Sequence, residues 1–147
     1  MTRNIVPILL AATLAATLTA CELESSNNGD LDGYWHMQRV DTLSTGGSTD
    51  LSDSLRFWAV QMSLLNLTDK GGDAGEFLLR FAYDSDSLRL YDPHYSNRMT
   101  GDPSLDDAAP LAPYGINAVD ETFAVERLNG SYMTLKGGTL RLQFNKL

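Results

Sequence analysis

From Tyr34 to Phe144 the apolar side chains recur at every second position, and this spacing constrains the fold more than any other feature of the chain. Trp35 and Met37 share one parity, and His36 and Gln38 the other. Phe77, Leu79, Phe81 and Tyr83 repeat the pattern, as do Leu88 and Leu90, Phe123 and Val125, Met133 and Leu135, and Leu140, Leu142 and Phe144. A run from Leu55 to Leu67 alternates less cleanly. Side chains of a strand point to opposite faces with period two, so these runs predict half-buried strands rather than helices. Turn residues separate them. Asn129-Gly130 is a strong hairpin signal, with both residues expected at positive φ, and Lys136–Thr139, Asp69–Asp73 and Asp84–Asp86 are further candidates. Consecutive hairpins make an antiparallel meander, which must hide one face and protect its edges. Closure into a small barrel of about eight strands does both. The predicted class is therefore all-β.

Two stretches lack the period. Residues 41–54 are rich in Ser, Thr, Gly and Asp and read as a loop. Residues 92–121 hold Pro93, Pro103, Pro110 and Pro113, and so long a loop is expected to contain a helical turn near 104–109 or a short strand near 114–119.

The N-terminus carries a different message. Met1 to Asn4 bears one positive charge, Ile5 to Leu18 is apolar and uncharged, and Leu18-Thr19-Ala20 precedes the single cysteine, Cys21. A charged start, a short apolar stretch and small residues describe a secretory signal at 1–20, too short for a comfortable membrane span. A lone cysteine in an exported protein cannot form an internal disulfide. Leu18-Thr19-Ala20-Cys21 resembles a bacterial lipobox, which implies lipid attachment at Cys21, several acyl chains including palmitate, and a place in the cell envelope, most simply the outer membrane. Residues 21–31 then read as a flexible tether, and 32–147 as the barrel domain.

The formal charge of −8, with no cluster of basic residues, excludes a nucleic-acid partner. His36 and His94 are the only imidazoles and fall in separate elements, so no metal site is expected. Asn28, Asp30 and Asp32 match the start of a calcium loop, but the twelfth position is Arg39. No nucleophile elbow or phosphate-cradling loop occurs. The sequence therefore predicts neither an enzyme nor a cofactor.

Gly33-Tyr34-Trp35, opening the first strand after a polar segment, is similar to the glycine-x-tryptophan signature of lipocalins. The C-terminal half, from Pro113-Tyr114-Gly115-Ile116 through Leu140–Leu147, resembles small lipocalin-like domains found in lipoproteins of Bacteroidetes-type bacteria. The resemblance covers about residues 31–147. It implies a barrel whose first-strand Trp packs against an Arg of the last strand. Arg141 is the candidate, though its parity opposes that of Leu140 and Leu142. It also implies a binding module for a small apolar ligand, with Trp35, Trp58, Met62, Phe77, Phe81, Met133 and Leu142 lining the interior. The alternative is an accessory subunit with a filled barrel that meets a partner protein or glycan through its loops, with Tyr91, Tyr95 and Tyr114 as anchors. Thr42, Ser54 and Ser87 stand in Asp-hydroxyl-aliphatic triplets that resemble O-glycosylation acceptors of such bacteria, although turn-rich sequences generate the same triplets.

Overall fold

The computed structural model describes residues 26–147. The signal segment, Cys21 and the first part of the expected tether, through residue 25, lie outside the described residues. Nine strands run in chain order: β1 (Gly33–Thr42), β2 (Ser48–Asp50), β3 (Arg56–Gln61), β4 (Leu64–Asp69), β5 (Phe77–Asp84), β6 (Ser87–Tyr95), β7 (Glu121–Leu128), β8 (Tyr132–Lys136) and β9 (Leu140–Lys146). Each pairs antiparallel with its neighbour, and β1 pairs with β9 from Trp35 opposite Lys146 to Thr42 opposite Leu140. The sheet thus closes on itself. β2 and β3 occupy the same edge of β1, β2 beside Arg39–Asp41 and β3 beside Gly33–His36. They act as one broken strand, and the barrel is eight-stranded, the size expected of the closed barrel, although the alternating runs number only seven.

The run from Leu55 to Leu67 is two strands, not one. It folds back at Met62-Ser63, where Met62 takes φ +55°. The Asn129-Gly130 hairpin forms, but neither residue has positive φ. Instead the Asn129 side-chain oxygen accepts hydrogen bonds from the N–H groups of Ser131 and Tyr132 at 2.9 and 2.8 Å. An Asx-type turn therefore does the work expected of a primed turn.

Both ends of the barrel are stopped. A 3-10 turn, Gly29–Leu31, lies under the end where β1 begins, and Leu31 is fully buried there. The end of the segment read as tether is thus part of the packed domain. At the other end the long β6–β7 connection folds over the mouth as a lid. It contains 3-10 turns at Arg98–Thr100 and Ala109–Tyr114; the helical turn lies later than 104–109, and no strand forms at 114–119. Ser104 makes an isolated antiparallel bridge to His94, extending the pairing of β6.

Candidate functional site: a plugged barrel and an outer cleft

Inward-facing positions of all eight barrel staves meet in one apolar cluster. Six of the seven residues expected to line a ligand chamber lie in it: Trp35, Trp58, Phe77, Phe81, Met133 and Leu142 are each 9% exposed or less. They pack on one another. The Trp58 ring meets Phe144 edge-on at 4.8 Å and Phe123 at 6.2 Å. Met62 is the exception. It sits at the β3–β4 hairpin tip, 42% exposed, because the turn that sequence reading missed carries it out of the strand.

The closed end is organised around Trp35. Its indole N–H donates to the Leu31 carbonyl at 2.8 Å, fixing the 3-10 turn under the barrel. The Lys146 ammonium stands 4.8 Å from the Trp35 ring centre and donates to the Asp30 carbonyl at 2.8 Å. Arg141 does not reach this tryptophan. It lies outside, paired with Glu126 at 2.6 Å. Lys146 supplies the last-strand cation instead, and its parity with Leu142 and Phe144 is the signal that places it there.

The mouth is filled by the lid. Leu105, Leu111, Tyr114 and Ile116 are buried, the last three completely. Gly115 adopts φ +81° at the point of closest approach, and a Cβ built there would lie 2.5 Å from Leu142 Cδ2. Polar contacts hold the lid down. The Tyr114 hydroxyl donates to the Gly75 carbonyl, Arg56 Nη1 to the Pro113 carbonyl at 3.2 Å, and the Asn117 N–H to Glu121 Oε2 at 2.9 Å. Burial pushes the Tyr114 phenol well above its ordinary range and raises the Glu121 carboxyl. Tyr114 is thus a plug and not the exposed anchor expected of it. Tyr95 is 41% exposed and Tyr91 half-buried beneath the Arg89 guanidinium.

Among the described residues, three buried side-chain polar atoms lack a hydrogen-bond partner, on Ser54, Trp58 and Asn66. The Trp58 indole N–H is buried without a hydrogen-bond partner. The Ser54 hydroxyl is likewise enclosed and unpaired, which puts it out of reach of a glycosylating enzyme in the folded protein. Thr42, at the end of β1, and Ser87, at the start of β6, are partly exposed. His36 points outward, stacks on Phe57 at 4.7 Å and bonds the Ser54 carbonyl at 2.6 Å. Among the described residues, no three His, Cys, Asp or Glu side chains gather as a metal site.

On the outside, a cleft of about 170 Å³ is lined by Leu64, Leu78, Arg80, Asp92, His94 and Asp102. Ligand pockets for drug-sized molecules start near ~300 Å³, so this recess is small. Within it His94 Nδ1 lies 2.8 Å from the Asp102 carbonyl and Nε2 3.1 Å from Asp92 Oδ1. The bond to Asp102 and the Asp92 carboxylate together raise the His94 pKa above its usual value.

The comparisons with known proteins agree with this architecture. No curated protein matches the chain. A crystal structure of a lipocalin-like protein from Bacteroides uniformis superposes with a TM-score of 0.60 at 19% identity, covering 81% of this chain and all of that one. An uncharacterised protein from Bacteroides eggerthii gives 0.54 at 16% identity, covering 79% of this chain and 98% of that one. At such identity the likeness shows the fold alone. The profile of a family of lipocalin-like domains matches residues 16–147, and the chain belongs to that family.

Proposed function

We propose that the protein is an interaction module of the bacterial envelope, tethered by lipid on Cys21, whose filled barrel binds a partner protein through its outer, lid-bearing end. The observation that carries this reading is the occupied interior, closed at the mouth by Leu105, Leu111, Tyr114 and Ile116. Vacating those four side chains costs about 1.5–3 kcal/mol each, roughly 6–12 kcal/mol together. A micromolar ligand has only about 8 kcal/mol in total. An apolar cargo would have to offset a cost as large as that whole net affinity before any binding appeared.

The lid end carries exposed apolar side chains suited to a partner surface: Leu55, Tyr95, Val119 and Met99, the last 97% exposed. The described chain enters at the opposite end, through Ser26 and the Gly29–Leu31 turn. A lipid on Cys21 would accordingly turn the lid away from the bilayer. No catalytic role is assigned. A second reading has one observation in its favour: the unpartnered Trp58 N–H would suit a slender ligand bearing a hydrogen-bond acceptor inside the barrel.

Native mass spectrometry of the protein extracted from membranes tests both. The expected result is an acylated chain with no small molecule bound, and a photo-crosslinker at Met99 that yields one defined protein adduct. A small apolar molecule retained near one-to-one would overturn the filled-barrel reading, and a glycan adduct at Met99 would replace the protein partner.

A further inference from the structure

A β-bulge of β6 and a strained lid residue meet in the outer cleft. The pairing of β5 with β6 slips register between Leu78 and Arg80. Asp92, inside β6, and Asp102, in the lid, both take positive φ, +53° and +49°. Aspartate is one of the few residues besides glycine that adopts such angles, chiefly at turns and bulges. Bulges and strained residues of this kind gather where a side chain has to be aimed.

The aimed side chain is His94, wedged between Asp92 and Asp102. Both of its ring nitrogens face acceptors, the Asp102 carbonyl and an Asp92 carboxylate oxygen. A neutral imidazole carries one N–H and can satisfy only one of them, so the arrangement is complete only with an imidazolium. The charged groups facing the ring are Asp92 on its own strand, Arg80 from β5 and Asp102 from the lid. Arg80 Nε lies 3.4 Å from the second oxygen of Asp92. The Asp102 carboxylate is turned to the Asn97 N–H at 2.7 Å. Leu64 of β4 and Leu78 of β5 add no charge.

What His94 holds is the root of the lid. The Tyr95 N–H donates to the Pro103 carbonyl and the Leu105 N–H to the Pro93 carbonyl, both at 2.9 Å, so the lid leaves β6 as a short added strand. Leu105 then continues into the buried plug. We propose that His94 is a proton-operated latch: its protonated ring pins residues 97–105 to β6 through the Asp102 carbonyl, and on loss of a proton the one remaining N–H stays with the stronger acceptor, the Asp92 carboxylate, so the bond to the lid is the one given up. The raised His94 pKa sets the direction. The latch is fully engaged below the unperturbed histidine pKa of about 6.5 and releases as pH rises through the higher folded value.

The test is an NMR titration of the two imidazoles from about pH 5 to about pH 9, with amide-exchange protection at Tyr95 and Leu105 corrected for intrinsic exchange. His94 should titrate above the unperturbed value, with both ring nitrogens protonated below it. Protection should drop several-fold at that same inflection. Asp92→Asn should lower the His94 pKa and move the inflection with it, and His94→Gln should abolish it. A His94 that titrates at or below about 6.5, or protection that stays flat through its titration, overturns the latch. The wild-type titration decides this even if a variant fails to fold.

Discussion

Gly115→Ala tests the seating of the lid in the mouth. Two costs add at this position. The φ of +81° lies in the left-handed region, where a Cβ costs about 1–2 kcal/mol. The added carbon would also stand 2.5 Å from Leu142 Cδ2 and 2.9 Å from Cδ1, so Leu142 or the lid has to move. Overpacking of a filled core costs about 1–3 kcal/mol more. The expected loss is therefore roughly 2–5 kcal/mol, a large share of the ~5–15 kcal/mol that holds a domain together. Gly101 supplies the control. Its φ of +79° is nearly the same, but a Cβ there meets nothing within 4 Å. Gly101→Ala should thus cost only the backbone share, about 1–2 kcal/mol. Urea unfolding at constant m-value reads the difference as a shift in midpoint. Adding Leu142→Ala to Gly115→Ala should cost less than the two single losses summed, because the smaller side chain makes room for the Cβ. Equal losses at Gly115 and Gly101, or strict additivity with Leu142→Ala, would refute the placement of the lid against β9.

Lys146→Met should destabilise the fold by about 1–2 kcal/mol in urea, through loss of the cation over Trp35 and of its bond to Asp30. Arg141→Met, which breaks only a solvent-screened pair with Glu126, should shift the urea midpoint much less. The partly buried Glu121 carboxyl has a raised pKa, so its ionised form opposes folding above that pKa and the opposition disappears as pH falls through it. Glu121→Gln keeps an acceptor for the Asn117 N–H. It should therefore gain stability over wild type at neutral pH and lose that advantage in acid, as measured by thermal unfolding across pH.

Much of the barrel is legible in the sequence because a half-buried strand writes its inner face at every second residue. Trp35, Phe81, Leu142 and Phe144 are all found that way, and Lys146 obeys the same parity beyond Phe144. The β3–β4 hairpin escapes because its tip, Met62-Ser63, contains no Gly, Asn, Asp or Pro. The positive φ of Met62 is imposed by the pairing on either side, Gln61 opposite Leu64 and Val60 opposite Leu65. The lid escapes for another reason. Leu105, Leu111, Tyr114 and Ile116 are spaced six, three and two apart along 3-10 turns and bends, so no single period marks them as core. Tyr114 in an irregular, proline-rich stretch looks like a surface anchor, whereas its hydroxyl is paired with Gly75 beneath the lid. The His94 cluster is invisible for a third reason: Asp102 reaches it only through the lid's return to β6.

The barrel interior is filled and shut. The chain has only two tryptophans, Trp35 near the closed end and Trp58 midway along the core, and both are fully buried. Acrylamide quenching of their fluorescence therefore reports directly on access to the interior. Quenching should be about tenfold weaker in the folded protein than in the urea-unfolded chain, because fully buried side chains in a close-packed interior leave the quencher no path. Folded-state quenching close to that of the unfolded chain would contradict it.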